Sequence, residues 1–443
     1  MAGPTGSAPR DAVAVAYQEA LEALADRGRF GIRLGLGRTR ALLRELGHPE
    51  GSLRGALVGG TNGKGSVLAL AGSALRAAGL RVGETPKPHL VSYRERLQVD
   101  GRPIDAATFA RLVGEVVPIA DRVARRLGPL TEFEVLTAML FRWFAEERVA
   151  VALVEVGLGG RLDATHAWDG GVAAITNVAL DHMDRLGDTI PKIAREKAAI
   201  IERGDLAVTG ATDDGLAVIR RRAARVGAPL TIVQPARVLG WDRDGLDVEL
   251  PRLGRTRVGL RGRHQAANVA IADAVLDSLV AAGIADVPPG ARRRGYAEAR
   301  WPGRLELLTI EGHDALLDGA HNPAGAATLA RALDDLRPFL TDADAPWTLV
   351  AGAMADKDVA GIAAALGEAA VLPRARIIAT RVDLPRALPA SSLAAIWQRA
   401  LPGASVESIP DVDRALGEAL RGARGPVVVA GSLYLVGEAR RRW

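Results

Sequence analysis

The sequence contains no cysteine and few aromatic residues. Phenylalanine, tryptophan and tyrosine together make up 4% of its 443 residues. The missing thiols exclude disulfides, cysteine nucleophiles and thiolate metal sites, and they fit a reducing cytoplasm. The low aromatic content leaves little for the stacking platforms that bind single-stranded nucleic acid. The sequence also lacks an apolar run long enough to span a membrane, so we expect a cytoplasmic protein without a membrane partner.

Basic residues outnumber acidic residues only slightly. The chain has 57 lysines and arginines and 52 aspartates and glutamates, a formal net charge of +5. A pI near 9.8 invites a nucleic-acid interpretation. The arginines are scattered, however, and form no long basic block. We interpret most of them as solvated, rank a basic site for an anionic small substrate next, and predict no nucleic-acid partner.

Short apolar runs alternate with longer amphipathic segments. The runs "RGALVGG", "VAVALVEVGLGG" and "GGVAAITNVALDH" are typical of buried parallel strands. A second set of strands is predicted at "ALLDGAHN", "WTLVAGAM", "ARIIATRV" and "PVVVAGSLYLV". Residues 284–304, between the sets, are rich in Pro, Gly and Arg. We therefore predict two α/β domains with mostly parallel sheets: a P-loop ATPase-type domain at residues 1–298 and a smaller Rossmann-like domain at 299–443.

A glycine-rich turn, "GGTNGKGSV", follows the first predicted strand. In the commonest phosphate loop the hydroxyl residue directly follows the lysine, whereas here Gly65 separates Lys64 from Ser66. A strand, a glycine turn and a helix N-terminus still provide converging N–H groups for phosphate. Lys64 would neutralise phosphate charge, and Ser66 would place a hydroxyl on Mg²⁺. The alternative, an ordinary turn with a solvent-exposed lysine, is disfavoured by this context.

Two acidic or histidine-bearing segments follow the next predicted strands. Glu155 ends an otherwise apolar strand, and a buried acid there needs a partner. A metal ion is the first interpretation, and a pair with Arg161 is the second. Asp181 and His182 follow the third strand. Because carboxyl ends of parallel strands meet at one sheet edge, we expect Ser66, Glu155 and His182 to bind magnesium together.

Other polar residues are weaker candidates. Lys197 lies on an alanine- and isoleucine-rich helix, which by itself favours a lysine that snorkels to solvent. Asn268 lies in the first turns of a predicted helix, where polar residues usually act as caps. Arg304, Asp318 and His321 lie near strand ends of the second domain. These positions face the ligand-binding edge of an α/β sheet, and turn chemistry at Asp318-Gly319 and Asn322-Pro323 is the alternative.

Nine motifs in order resemble the folylpolyglutamate synthase/dihydrofolate synthase family of the Mur ligase superfamily. They are "GGTNGKGSV", "PHLVSYRERLQVDG", "TEFEVLTAMLF", "EVGLGGRLDATH", "ITNVALDHMDRLGDTIPKIAREKA", "GRHQAANVAIA", "WPGRLE", "LLDGAHNPAG" and "DKD". They extend over nearly the whole chain, and the additional glycine after the loop lysine is part of the family pattern.

The resemblance implies an ATP-dependent ligase that joins L-glutamate to folate through an acyl phosphate. It is expected to act as a monomer on small molecules. The implied catalytic residues are Lys64, Lys197, His182 and His321. The implied ATP contacts are Gly60, Thr61, Asn62, Gly63, Lys64, Gly65, Ser66, Asn268, Arg304 and Asp318. The implied folate contacts are Arg33, Lys87, His89 and Thr131. Two Mg²⁺ ions are expected, with Ser66, Glu155 and His182 as ligands and with a carbamylated Lys197 helping to organise the second ion.

Two positions depart from the family pattern. Arg33 stands in "IRLG", where members that also make dihydrofolate often have an aspartate suited to the pterin amino groups. Lys87 stands in "TPKPHL", where small hydroxyl residues are usual. Both changes add positive charge near the expected folate pocket. They favour polyglutamylation over dihydrofolate synthesis, and they keep open a related ligase with another acid substrate. A P-loop ATPase or kinase without ligation is a further alternative.

Overall fold

The computed structural model describes residues 10–28, 30–31 and 33–443. These residues form two compact units. The first unit comprises residues 10–89, 93–233 and 271–292 within that description, and the second comprises 90–92, 234–270 and 293–443. Across the described ranges, none of the helices combines the length and hydrophobicity that a bilayer span requires.

The first unit is built on a mostly parallel sheet. Its strands are β1 (Gly55–Gly59), β2 (Val82–Thr85), β3 (Gln98–Val99), β4 (Arg102–Pro103), β5 (Val151–Glu155), β6 (Gly171–Ile175), β7 (Leu206–Thr209) and β8 (Leu230–Ile232). Their order is β4-β3-β2-β5-β1-β6-β7-β8, and only the pairs that involve β3 are antiparallel. All five residues of β1 and of β5 are buried, which explains why their sequences are apolar without alternation.

Helices pack on this sheet and contribute most of the buried hydrophobic residues of the first unit. They are α1 (Arg10–Gly28), α2 (Gly37–Glu45), α3 (Lys64–Ala77), α4 (Ala106–Leu127), α5 (Glu132–Glu146), α6 (Met183–Leu186), α7 (Ile190–Ala198), α8 (Asp213–Val226), α9 (Gln265–Ala281) and α10 (Pro289–Glu298), the last two running across unit boundaries. Short 3-10 turns occur at Pro49–Ser52, Tyr93–Arg96 and Ala164–Ala167. The segment "TEFEVLTAMLFRWFAEE" predicts one apolar helical face; on α5, Leu136, Leu140, Trp143 and Phe144 of that face are buried and Phe133 is half-buried.

The second unit contains two sheets. The strands β9 (Arg237–Asp242), β10 (Gly245–Leu250) and β11 (Gly254–Val258) form a three-stranded antiparallel sheet. The strands β12 (Glu306–Ile310), β13 (His313–Asp318), β14 (Thr348–Ala351), β15 (Arg376–Ala379), β16 (Ser405–Ser408) and β17 (Val427–Ala430) form a sheet in the order β12-β13-β17-β14-β15-β16. Every pair in the larger sheet is parallel except β12 with β13.

Helices and a 3-10 turn complete the second unit. They are α11 (Pro323–Leu336), α12 (Val359–Gly367), α13 (Ala390–Ala400), α14 (Val412–Arg421) and α15 (Leu433–Arg442), with the turn at Arg337–Phe339. Both faces of the six-stranded sheet carry buried aliphatic clusters. The predicted fold class, two α/β domains with mostly parallel sheets, is confirmed.

Two features differ from the sequence expectation. The segment "PVVVAGSLYLV" is not one strand, because β17 ends at Ala430 and α15 begins at Leu433. The Ser432 hydroxyl accepts a hydrogen bond from the Tyr434 N–H at 3.2 Å and caps that helix. The antiparallel sheet β9–β11 was not predicted. The domain boundary at residue 298 remains a prediction, and α10 occupies part of the Pro-, Gly- and Arg-rich segment.

Candidate functional site

Three neighbouring parallel strands bring the first candidate residues to one sheet edge. Strand β1 lies between β5 and β6, with Val58 opposite Glu155 and Gly59 opposite Ile175. The carboxyl ends are therefore aligned to within about one residue. The glycine turn after β1, the acid that ends β5 and the segment after β6 consequently meet at the edge where open α/β sheets bind ligands.

The glycine turn is held rigidly by the segment that follows β6. The Asn62 N–H donates to Asn177 Oδ1 at 3.0 Å, and the Thr176 hydroxyl donates to the Asn62 carbonyl at 2.6 Å. Gly60 has φ 139°, and a Cβ there would collide with the Thr176 hydroxyl. Gly63, with φ 83°, directly precedes α3. Glycine is required at both positions, and the loop is preorganised at a helix N-terminus.

The Lys64 side chain folds back over this turn. Its Nζ donates to the carbonyls of Gly60 and Thr61 at 3.1 and 3.0 Å, and it lies 4.0 Å from Glu155 Oε1. The alternative of a solvent-exposed lysine is therefore wrong. Ser66 is buried in the first turn of α3. The turn presents one positive charge beside a helix N-terminus, an arrangement that favours phosphate.

Glu155 is enclosed by a different partner from the one considered in its sequence context. Its Oε2 accepts the Lys87 N–H at 3.1 Å, and its main-chain carbonyl accepts from Lys87 Nζ at 2.7 Å. Arg161 instead pairs with Glu196, with Nε 2.9 Å from Oε1. The Glu155–Arg161 interpretation is therefore wrong. The Glu155 side chain is 4% exposed and lies between two lysines, Lys64 and Lys87.

Lys197 is buried against the glycine turn. Its side chain is 5% exposed, and Nζ donates to the Gly60 carbonyl at 2.9 Å. The snorkelling interpretation is wrong, because the amine points into the protein. Burial, followed by the charge of Lys64, lowers the pKa of Lys197 to about 7. A substantial share of this side chain is therefore the neutral amine at neutral pH.

The predicted magnesium ligands are only partly defined by the structure. His182 has φ 50°, its side chain is exposed, and its Nε2 lies 3.9 Å from Asp181 Oδ2. Within the described ranges, no three His, Cys, Asp or Glu side chains gather as a metal cluster. The buried Glu155 carboxylate and the Ser66 hydroxyl are hard oxygen donors of the kind Mg²⁺ prefers. The donor types fit magnesium, and the joint role of Ser66, Glu155 and His182 remains a prediction.

Two of the predicted folate contacts lie after β2. Lys87 Nζ lies 4.5 Å from the centroid of the Phe133 ring, a cation–π distance. Burial lowers the pKa of Lys87 to about 8, against the opposing charges of Asp163 and Glu155. The next candidate, His89, accepts a hydrogen bond at Nδ1 from Arg96 Nε at 2.9 Å.

The Arg96 contact determines which ring nitrogen of His89 carries the proton. Burial and the Arg96 charge lower the pKa of His89 to about 3, so the ring is neutral at physiological pH. Because Nδ1 accepts from the guanidinium, the single ring proton resides on Nε2. His89 therefore presents an N–H donor at Nε2.

The other two predicted folate contacts differ in exposure. Arg33 is exposed, and its guanidinium lies 5.9 Å from the centroid of the Phe30 ring. Thr131 is buried and caps α5: its hydroxyl is 3.3 Å from the Glu134 N–H, and the Glu134 carboxylate accepts the Thr131 N–H at 2.8 Å. This capping box begins α5, in which Phe133 is the second residue.

Asp163 is a buried acid that was not singled out from the sequence. Its Oδ2 accepts the Leu158 N–H at 2.8 Å, and its Oδ1 accepts the Thr165 hydroxyl at 2.6 Å. It thereby ties the turn after β5 to the following 3-10 turn. The available signal was the pattern "LDAT", in which an aspartate two residues before a threonine is typical of a capped turn. Thr176 and Asn177, which brace the glycine turn, were also missed.

In the second unit, Asp318 and Arg304 lie together at the end of β13. The Asp318 carboxylate accepts the N–H groups of Leu305 and Ala320, each at 2.8 Å. Burial raises the pKa of Asp318, against the charge of Arg304 and these two hydrogen bonds. A Cβ on Gly319 would collide with the Arg304 guanidinium, so glycine makes room for it.

The remaining candidates of the second unit make local contacts. His321 Nδ1 lies 2.8 Å from the Gly319 carbonyl, so this nitrogen carries the proton in that hydrogen bond. The Asn322 side chain accepts the Gly325 N–H at 2.8 Å and caps α11. Asn268 Nδ2 donates to Gln265 Oε1 at 2.7 Å on the first turn of α9.

Known proteins resemble this chain over almost its whole length. The Mur ligase, glutamate ligase domain family matches residues 303–433. The dihydrofolate synthase/folylpolyglutamate synthase of Bacillus subtilis is 35% identical over 442 residues, covering 96% of this chain and 99% of that protein. The chain belongs to the folylpolyglutamate synthase/dihydrofolate synthase family. The sequence resemblance is thereby confirmed.

Other members of the family are similar to this chain in sequence and in structure. The probable bifunctional folylpolyglutamate synthase/dihydropteroate synthase of Haloferax volcanii is 37% identical over 448 residues, covering 96% of this chain. This chain covers only 50% of the length of the Haloferax volcanii protein. The crystal structure of Mycobacterium tuberculosis folylpolyglutamate synthase complexed with ADP and AMPPCP matches with a TM-score of 0.86 and 31% identity, covering 97% of this chain and 98% of that chain.

Proposed function

We propose that this family member is an ATP-dependent ligase that joins the amino group of L-glutamate to a carboxylate of a reduced folate. The observation that carries this proposal is the braced glycine turn with Lys64 folded over it, at the sheet edge that also holds Glu155 and Lys197. The family membership and the nucleotide complexes of the Mycobacterium tuberculosis relative support it.

The reaction proceeds in two balanced steps. A folate carboxylate oxygen attacks the γ-phosphorus of ATP, a P–O bond forms, and ADP leaves with the electrons of the broken P–O bond. The glutamate nitrogen then attacks the acyl carbon, phosphate leaves, and the nitrogen loses a proton. The loop N–H groups and Lys64 stabilise the negative charge on the transferring phosphoryl group. Neither step requires a protein nucleophile, in agreement with a chain that has no cysteine.

Magnesium belongs to the same proposal. Ser66, Glu155 and His182 would hold it, and two ions are expected. When bound, magnesium supplies positive charge that offsets the charge of the phosphate oxygens. Glu155 suits this role because it is a buried carboxylate at the end of β5.

Lys197 is proposed to be carbamylated. Its neutral amine nitrogen would attack the carbon of CO₂, forming an N–C bond and moving an electron pair onto oxygen, while the nitrogen proton goes to water. The lowered pKa supports this step, because an ammonium has no lone pair for the attack. The carbamate would add a negative charge beside Lys64.

The remaining residue roles are proposals on the same basis. Asn268, Arg304, Asp318 and His321 would contact the nucleotide. Arg33, Lys87, His89 and Thr131 would border the folate, with Thr131 acting through the cap that positions Phe133. A monomeric cytoplasmic enzyme acting on ATP, folate and glutamate, without nucleic-acid or membrane partners, completes the proposal. The exposed Arg33 favours polyglutamylation over dihydrofolate synthesis.

The test is glutamate-dependent release of ADP with ATP and Mg²⁺. Tetrahydrofolate, dihydropteroate and a cell-wall nucleotide precursor would be supplied as separate acceptors. Turnover with tetrahydrofolate alone is the expected result. Turnover with dihydropteroate as well would refute the restriction to polyglutamylation. Turnover with the cell-wall precursor alone would establish a different ligase, and ADP release that ignores glutamate would leave only an ATPase.

A further inference from the structure

A basic cavity lies in the first unit, next to α7. Its volume is about 870 Å³, and it is bordered by α2, the segment after β5, α7 and α8. It is lined by six arginines, namely Arg40, Arg161, Arg195, Arg221, Arg222 and Arg225. Among the described residues of the lining, the acids are Glu196 and Glu202. Side chains of one charge thus converge on one concavity from three helices and a turn.

The two acids are already paired within the wall. Glu196 receives Arg161 Nε at 2.9 Å, and Glu202 lies 3.3 Å from Arg222 Nη2 and 3.3 Å from His166 Nε2. The guanidinium groups of the other four arginines have no ion pair or side-chain hydrogen bond within the part of the chain that the structure describes. The cavity therefore keeps an excess of positive charge, which an anionic ligand would neutralise.

Part of the wall is fixed in position without a ligand. Arg222 Nε donates to the Ile201 carbonyl at 2.9 Å, and its Nη2 donates to the Ala199 carbonyl at 3.3 Å. The neighbouring His166 is 7% exposed, with Nδ1 3.2 Å from the Arg161 carbonyl. A guanidinium held by main-chain carbonyls loses less conformational entropy when it binds an anion.

The cavity is separate from the glycine turn. Lys197 of α7 faces Gly60, whereas Glu196 and Ala198 of the same helix line the cavity. None of residues 60–66 belongs to the cavity lining.

We propose that this cavity is a second anion site, which binds a small oligoanion with several phosphate or carboxylate groups. Guanidinium groups recognise both phosphate and carboxylate with paired hydrogen bonds. The volume is in the range of small-molecule sites. Among the described residues that line it, none is Phe, Tyr or Trp, so it lacks the stacking surface typical of single-stranded nucleic-acid sites. The proposal does not depend on the ligase assignment.

The experiment is titration calorimetry at about 0.15 M salt, where long-range attraction between exposed charges is largely screened. Inorganic tripolyphosphate and linear pentaglutamate are the two probes, and they separate a phosphate source from a carboxylate source. The cavity variant is Arg221→Gln/Arg225→Gln, with both residues exposed on α8. The matched control is Arg122→Gln/Arg125→Gln on α4, which removes the same charge. Lys64→Ala separates binding at the glycine turn from binding in the cavity.

At least one probe is expected to bind the wild type and the control pair alike. The cavity variant should bind about tenfold or more weakly, the loss expected for one or two charge-assisted hydrogen bonds. The Lys64→Ala variant should bind the same probe as tightly as the wild type does. Arg40→Gln, on α2, is an independent variant if the double substitution lowers the melting temperature.

Four results would overturn the proposal. Equal weakening in the control pair would indicate diffuse attraction only. Loss in Lys64→Ala together with retention in the cavity variant would place the anion on the glycine turn. If neither probe binds the protein, there is no small-oligoanion site. If a single-stranded oligonucleotide binds more tightly than both probes and the cavity variant weakens that binding, the cavity is a nucleic-acid surface.

Discussion

The candidate edges of the two sheets use charge differently. In the first unit, three lysines, Lys64, Lys87 and Lys197, lie against the carboxylate or carbonyl of Glu155 or against the turn beside it. In the second unit, the carboxylate of Asp318 is bonded to two main-chain N–H groups. The first edge therefore has positive charge left to bind phosphate, whereas the second uses its acid to fix the main chain around Arg304.

Glycine serves the two edges in the same way. A side chain at Gly60 would displace the Thr176 hydroxyl that braces the turn, and one at Gly319 would displace the Arg304 guanidinium. In both units a glycine at the end of a strand makes room for a polar side chain from another segment. The comparison predicts that the first edge is sensitive to loss of charge, and the second to loss of space.

Loss of the Lys64 charge should have the largest effect. Lys64→Ala removes the ammonium that lies over the glycine turn and faces Glu155. We expect kcat for glutamate-dependent ADP release to fall by roughly 10²–10³-fold, as for other preorganised charges at a reacting group. Lys192→Ala, on exposed α7 surface, is the control and should stay within about twofold. Activity within tenfold of wild type in Lys64→Ala would contradict the role assigned to this lysine.

The second prediction concerns stability and pH at Lys197. Its pKa is about 7 in the folded protein against an ordinary value of 10.5. Between these pH values the unfolded chain binds a proton that the folded chain does not. The free energy of unfolding therefore increases as the pH rises from about 7 to 10.5. Below pH 7 both states are protonated and the contribution is flat. Lys197→Met removes this contribution.

Denaturant unfolding in CO₂-free, magnesium-free buffer would measure the contribution of Lys197 to the free energy of unfolding. The difference in unfolding free energy, wild type minus Lys197→Met, should rise by on the order of 2–4 kcal/mol across that window. The exposed Lys192→Met variant should give a difference that is flat with pH. A flat difference for Lys197→Met would mean that the folded protein does not hold this amine neutral.

The sequence was a good guide to the strand ends and a poor guide to the side-chain partners. The lengths of the buried runs and the glycine turn predicted β1, β5 and β6 and their common edge, because a strand buried on both faces has to be apolar throughout. Whether Glu155 meets a metal, Arg161 or a lysine depends on which loop folds over it. Lys87 lies 68 residues earlier in the chain, and local pattern carries no information about that contact.

Lys197 illustrates the same limit in another form. A lysine on an alanine- and isoleucine-rich helix is compatible with a side chain that reaches solvent or one that points inward. The orientation is decided by the Gly60 carbonyl, 137 residues away. The family resemblance implied a carbamylated lysine at this position, which stays a prediction, whereas residue chemistry alone favoured a lysine directed to solvent. The antiparallel sheet β9–β11 was missed because its short strands have mixed burial and exposed polar faces.

Loss of space at the second edge should have a smaller effect. Gly319→Ala places a methyl group against the Arg304 guanidinium and the Leu433 side chain. We expect a destabilisation of about 1–3 kcal/mol, typical of overpacking in a filled site. Gly240→Ala, on β9, is the matched control because nothing lies within 4 Å of its added Cβ. Equal unfolding midpoints for the two variants would show that the added methyl group at Gly319 is accommodated without a steric cost.

The smallest expected effect is a change of acceptor preference at Arg33. This residue is exposed, and its family counterpart in members that make dihydrofolate is often an aspartate. Arg33→Asp supplies a carboxylate that can accept hydrogen bonds from pterin amino groups. One charge-assisted hydrogen bond would raise the ratio of kcat/KM for dihydropteroate to that for tetrahydrofolate by about tenfold. Arg44→Asp, exposed on α2, makes the same change in charge and should leave the ratio unchanged. If both variants shift the ratio equally, Arg33 acts through net charge and not through contact with the pterin. If neither does, acceptor choice is determined elsewhere, and Lys87 beside Phe133 becomes the next position to change.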